Sequence, residues 1–177
     1  MNSVHDTILI VDDDSADAEF TRRTIKEKAP HVQLIVTKNG EEALNLIFQK
    51  SEIPAADSPS LTQRNGSGHF WTPKHDTIDQ GSLRIILLDL HMPGTDGFEV
   101  LRVLKSNHTT QHLPVIILSS SRELKDIEQC YALGANSYIV KPISAEQYEH
   151  TIEKVTEYWL NVNEQATSSM DIHAAHN

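Results

Sequence analysis

Apolar residues in this chain come in short unalternating runs that stop at acids, hydroxyls or a lysine. Residues 7–11, Thr-Ile-Leu-Ile-Val, end at Asp12-Asp13-Asp14, and residues 84–88, Arg-Ile-Ile-Leu-Leu, end at Asp89. Residues 115–118, Val-Ile-Ile-Leu, run into Ser119-Ser120-Ser121, and residues 138–140, Tyr-Ile-Val, into Lys141-Pro142. Runs without alternation fit strands covered on both faces, as in a parallel sheet. Residues 32–36, Val-Gln-Leu-Ile-Val, supply a fifth strand candidate.

Helical periods lie between these runs. The spacing predicts helices over 15–28 (apolar face Ala18, Thr21, Ile25), 40–50 (Ala43, Leu44, Ile47) and 96–106 (Phe98, Leu101, Leu104). Two more are predicted over 122–133 (Ile127, Tyr131, Leu133) and 144–160. Asp14 or Ser15 caps the first, Gly134 is a natural stop for the fourth, and Ser144 with Gln147 suits a capping box on the fifth. Five alternating strand–helix units imply an α/β fold with a doubly wound parallel sheet. Two segments break the repeat. Residues 51–82 carry Pro54, Pro59, Gly66, Gly68, Pro73 and Gly81 among polar residues and keep no apolar period. A connection of that length is functional or mobile more often than structural. Residues 161–177 are polar and read as a frayed tail.

Charge narrows the partners. The 15 basic and 25 acidic residues give a formal net charge of −10, with no basic cluster to offset it, which argues against nucleic acid or an anionic membrane. The single cysteine, Cys130, excludes an internal disulfide and reads as a buried, inert thiol. The N-terminus lacks a basic segment and its apolar run is too short for a signal peptide; no run reaches the ~20 apolar residues of a membrane span. A cytoplasmic protein is expected.

In an open parallel α/β sheet, ligands bind beyond the carboxyl ends of the strands. Here those ends carry Asp12, Asp13, Asp89, Ser119 and Lys141. Each residue alone has an ordinary explanation: a helix cap, a strand-end turn, a small buried residue, a surface lysine. Three carboxylates, a hydroxyl and an ammonium from four separate segments are harder to explain that way. Clustered carboxylates favour a hard divalent cation such as Mg²⁺. A carboxylate can also be the nucleophile that forms an aspartyl-phosphate, with a cation and a lysine neutralising the phosphoryl oxygens.

The segments ILIVDDD (8–14), LLDLHMPGTDGFEVL (87–101), PVIILSSS (114–121) and GANSYIVKPIS (134–144) resemble the receiver domain of two-component response regulators over about residues 6–160. The resemblance implies a flavodoxin-like (βα)5 fold with strand order 2-1-3-4-5. It implies Asp89 as phosphoacceptor and Asp12 and Asp13 as the acidic pair, with Asp13 a direct Mg²⁺ ligand and Asp12 acting through water. It further implies the backbone carbonyl of His91 as a ligand, Ser119 as the switch hydroxyl, Tyr138 as the switch aromatic that turns inward on phosphorylation, and Lys141 as the phosphate-binding lysine. The partner implied is a sensor histidine kinase. The aromatic close of the last helix, residues 155–160, is similar to that of small stand-alone receivers serving bacterial phytochromes.

A receiver without an output domain signals by protein contact or onward phosphotransfer, since 17 residues after position 160 are too few for a further module. It is not an enzyme beyond promoting its own phosphorylation and dephosphorylation. The apolar Tyr158, Trp159 and Leu160 are compatible with a homodimer. A haloacid-dehalogenase-type phosphatase is the rival in which Asp12 would be the nucleophile, but Lys141 is followed by Pro-Ile-Ser rather than acids. A pseudo-receiver is a third reading, and it predicts loss of acidic or lysine positions that are all present. His173 and His176 read as a solvated tail, His108 and His112 as exposed, and His69-Phe70-Trp71 as aromatics that pack back on the domain or form a docking patch.

Overall fold

Strands that must be apolar on both faces need helices on both faces, and that is the arrangement found in the computed structural model, which describes residues 6–48 and 82–164. The elements alternate as β1 (Thr7–Val11), α1 (Ser15–Lys28), β2 (Gln33–Thr37), α2 (Gly40–Phe48), β3 (Leu83–Leu88), α3 (Gly97–Ser106), β4 (Val115–Ser119), α4 (Leu124–Ala132), β5 (Ser137–Val140) and α5 (Ala145–Glu157). All strands are parallel, in the order β2-β1-β3-β4-β5. Residues 49–81 of the polar insert region and 165–177 of the tail, with His69, Phe70, Trp71, His173 and His176, lie outside the described residues.

The central strands are sealed. Every residue of β1 and β4 is buried, as is every residue of β3 except Arg84. The edge strands β2 and β5 are largely half-buried. Each sheet face has its own core. Leu9, Val11, Ile86, Leu88, Val115 and Ile117 pack with Ala43, Ile47, Val100, Leu101 and Leu104 on one side. Ile8, Ile10, Ile85, Leu87, Ile116 and Leu118 pack with Ile25, Tyr148 and Ile152 on the other. Full burial of one such side chain is worth roughly 1.5–3 kcal/mol, so this two-sided core fixes the strand register.

Helix ends follow local chemistry. The Asp14 side chain accepts from the amides of Ala16 and Asp17, so Asp14 rather than Ser15 caps α1. Asp96 caps α3 through the Glu99 amide, and Ser144 caps α5 through the Gln147 amide. Gly134 sits at φ +96° just past α4, a conformation that a Cβ disfavours.

Three expectations need correction. Along 122–133 the helix begins at Leu124, and Tyr131 is 52% exposed; Asp126 and Cys130 are the buried positions instead. Phe98 is only partly buried, with Val100 beside Leu101 and Leu104 facing the core. The closing helix does not stop at 160: α5 widens into a π-helical turn over Tyr158–Val162, where the Asn163 amide bonds the Tyr158 carbonyl at 2.8 Å. That turn lays Trp159 and Leu160 against the chain's own core, leaving Tyr158 and Val162 as the exposed apolar residues there.

Candidate functional site

The register puts chemistry on one rim. Val11 stands opposite Leu88, Leu88 opposite Ile117, and Ser119 opposite Val140. The residues that follow these strands therefore emerge side by side. Backbone bonds extend the alignment past the strands: the Asp89 amide bonds the Val11 carbonyl (2.9 Å), the Asp12 amide the Thr37 carbonyl (3.1 Å) and the Lys141 amide the Ser119 carbonyl (2.8 Å). Between β1 and β3 the sheet order reverses, which is where an open α/β sheet leaves a crevice.

Asp12, Asp13 and Asp89 meet at this crevice, each offering a carboxylate oxygen within 4.8 Å of the others. Asp12 and Asp89 are buried, whereas Asp13 is exposed. Burial pushes the Asp12 carboxyl up to about 6 against the pull of Lys141, and the Asp89 charge adds to the rise. Asp89 is also raised, by burial first and by the Asp13 charge, while Lys141 and the amides of Leu90 and His91 oppose it. The donor set is thus all oxygen, part-buried, mutually repelling and open on the Asp13 side. It fits a hard divalent cation.

Lys141 closes the other side. Its ammonium is 2.8 Å from Asp12 Oδ2, 2.9 Å from Asp17 Oδ2 and 3.9 Å from Asp89 Oδ1. Burial alone would lower its pKa, but the hydrogen bonds to Asp12 and Asp17 and the charges of Asp12 and Asp89 more than reverse this, so it stays protonated. Ser119 is fully buried at the end of β4, where its Oγ accepts from the Ser121 amide at 3.3 Å. Tyr138 is half-buried: its ring packs against the core that holds Leu88 and Val100, and its hydroxyl donates to the Ser121 carbonyl at 3.0 Å. His91 follows in the loop after β3, its side chain exposed.

Two further side chains border the site. Asp17, in the first turn of α1, holds Lys141. An acid there is ordinary dipole chemistry, so its sequence position gives no sign of that partner. Asp126, in the first turn of α4, is buried and accepts from Ser121 Oγ at 2.6 Å. In the sequence it looks like one more polar residue of an amphipathic helix. Cys130, one turn on, is buried, and burial first, then the Asp126 charge, pushes its thiol up to about 11, so it is inert at neutral pH.

Comparison with known proteins assigns the family. The sequence profile of the response regulator receiver domain matches residues 74–153. A probable methanogenesis regulatory protein, FilR2 of Methanothrix harundinacea, is 40% identical over 140 residues, covering 78% of this chain and 90% of that protein. The chain belongs to the response regulator receiver family. Its structure is similar to that of the phosphorylated cyanobacterial phytochrome response regulator RcpA (TM-score 0.70, 27% identity, 91% of this chain and 98% of that one). It is equally similar to RPA3017, a response regulator in red light signaling of R. palustris (TM-score 0.69, 27% identity, 92% and 99%). As a receiver the chain is a module of two-component signalling, the class of protein that accepts phosphoryl groups. No helix among the described residues is long and apolar enough to cross a membrane.

Proposed function

We propose that Asp89 is the phosphoacceptor of a Mg²⁺-dependent switch loaded by a sensor histidine kinase. The observation that carries this reading is the meeting of Asp12, Asp13 and Asp89 within 4.8 Å, with the Lys141 ammonium 3.9 Å from Asp89. Asp13 and Asp89 would hold Mg²⁺ directly, with the His91 backbone carbonyl as a further ligand and Asp12 acting through water. Bound there, Mg²⁺ supplies charge neutralisation for phosphoryl oxygens.

The chain's own groups do the rest. An ionised Asp89 oxygen attacks the phosphorus, a P–O bond forms, and the bond from phosphorus to the donor's imidazole nitrogen or carboxylate oxygen breaks, its electron pair leaving with the donor. No general base is needed because the nucleophile carries no proton. Lys141 meets the transferred oxygens, and the buried Ser119 hydroxyl donates to one of them. Movement of Ser119 toward the phosphoryl group biases the inward position of Tyr138, and the α4–β5–α5 face changes with it.

The chain's output is then read by another protein. We take residues 1–160 as one receiver with residues 51–82 inserted between α2 and β3, working in the cytoplasm. A phytochrome-type kinase is the partner we favour, because RcpA and RPA3017 are photoreceptor-pathway regulators by name. A homodimer would use the exposed Tyr158 and Val162.

The test is incubation with acetyl phosphate. Mg²⁺ should permit addition of one phosphoryl group, and EDTA should prevent it. Steady turnover of p-nitrophenyl phosphate would favour the hydrolase reading instead.

A further inference from the structure

Asp126 is a buried carboxylate that the phosphoryl chemistry does not use. It is 8% exposed, in the first turn of α4. Burying a carboxylate costs several kcal/mol unless its oxygens are satisfied. A hydrogen bond from one loop and a longer contact from another reach Oδ2. From the loop after β4, Ser121 Oγ donates to Asp126 Oδ2 at 2.6 Å. From the loop after β3, His91 Nε2 approaches the same oxygen at 3.6 Å.

Both loops begin at the site. His91 lies two residues beyond Asp89, its ring edge-on to Phe98 with centroids 6.5 Å apart. Ser121 lies two residues beyond Ser119 and makes three connections at once. Its amide donates to Ser119 Oγ, its hydroxyl donates to Asp126, and its carbonyl accepts from the Tyr138 hydroxyl. Ser121 Oγ also accepts from the Glu123 amide at 3.3 Å, at the start of α4.

We propose that Asp126 is a positioning residue that ties the phosphoacceptor loop and the Ser119 loop to helix α4, so that a change at Asp89 or Ser119 reaches α4 through Ser121 and Asp126. The inference rests on the reading of Asp89 as acceptor and Ser119 as the responding hydroxyl. A displacement of Ser119 Oγ acts on the Ser121 amide, and Asp126 ties the Ser121 hydroxyl to the helix. Tyr138 is joined through the Ser121 carbonyl, so aromatic and helix respond to one backbone segment. An acceptor-only carboxylate is suited to the part, because both groups facing it carry donors.

The experiment uses the full chain with Asp126→Asn and Ser121→Ala. Asn keeps one acceptor oxygen but removes the negative charge that draws both donors. Ser121→Ala keeps the carbonyl that Tyr138 needs and removes only the hydroxyl. Phosphorylation by acetyl phosphate is measured by intact mass, and hydrogen exchange of residues 119–133 is compared with and without Mg²⁺ and beryllofluoride. Both variants should gain a phosphoryl group to the wild-type extent, and both should lose at least about half of the wild-type exchange difference over 124–132. Because Ser121→Ala does not touch the α4 core, it keeps the test decisive should Asp126→Asn unfold.

An exchange difference equal to wild type in either folded variant would overturn the proposal. So would a wild-type protein that is phosphorylated without any change in α4. A wild-type protein that takes no phosphoryl group would contradict the assignment of Asp89 first, and this inference with it.

Discussion

Lys141 Nζ lies 2.8 Å from Asp12 Oδ2 and 3.9 Å from Asp89 Oδ1, so the ammonium sits on Asp12 rather than on the proposed acceptor. Asp17 holds it there from the side at 2.9 Å. Contact with a phosphoryl group on Asp89 requires the ammonium to loosen these bonds.

Asp17→Asn should therefore speed phosphorylation. Asp17 is half-exposed, so solvent screens its ion pair with Lys141 to about 0.5–1 kcal/mol. That corresponds to roughly a two- to fivefold faster gain of phosphoryl from acetyl phosphate at saturating Mg²⁺. The rate is followed by intact mass. A slower rate would mean that Asp17 holds Lys141 in its working position.

Metal affinity should fall in acid. The folded Asp12 carboxyl titrates at about 6, above its ordinary 3.8, chiefly because it is buried. A raised carboxyl favours the metal-free fold below pH 3.8, and that advantage is lost as pH rises through about 6. Mg²⁺ needs the ionised form, so its affinity should rise up to about pH 6 and level off above it. The thermal shift from Mg²⁺ should follow, reaching about 2.7 kcal/mol of stabilisation at a hundredfold excess over Kd. Asp13→Ala should weaken binding roughly tenfold or more, about 1.4 kcal/mol. Calorimetric titration across pH checks both, and an affinity flat from pH 5 to 8 would count against the acidic site.

Gly97 should tolerate no side chain. A Cβ there would collide with the Asp89 carbonyl oxygen and stand 2.7 Å from Leu90 Cα, backbone atoms that cannot rotate away. The Gly97 amide also bonds the Leu90 carbonyl at 2.9 Å. Gly97→Ala should cost about 1–3 kcal/mol by overpacking, seen as a lower Tm. It should also slow phosphorylation by displacing Asp89. A variant with wild-type Tm and rate would show that the β3–α3 loop yields freely.

Much of this was legible in the chain. The runs ending at Asp12, Asp89, Ser119 and Lys141 are unalternating because their strands are buried on both faces, and strand ends in a parallel sheet share a rim. Side-chain partnerships across that rim were not legible. Asp17 and Asp126 look like unremarked polar residues of amphipathic helices, because what sets them apart is a contact with Lys141 or Ser121 made only in three dimensions. The π-helical close at Tyr158–Val162 carries no mark in the local sequence either, and it lays Trp159 and Leu160 against the core.

Ser119→Ala should separate loading from signalling. Asp89, Lys141 and the metal-holding acids remain, so phosphorylation persists. The hydroxyl that the phosphoryl group would attract is gone, so phosphorylation-dependent self-association or kinase release should weaken. Sedimentation of both forms of both proteins checks this, and equal shifts would rule out the route through Ser119 and Tyr138.

The most direct test of the account is intact-mass measurement of wild type and Asp89→Asn after incubation with acetyl phosphate and Mg²⁺. Asn keeps the shape of the side chain and removes its charge and nucleophilic oxygen. Wild type should gain one phosphoryl group and Asp89→Asn none, while the variant stays folded. Labelling of Asp89→Asn to the wild-type level would contradict the assignment of Asp89 as the acceptor.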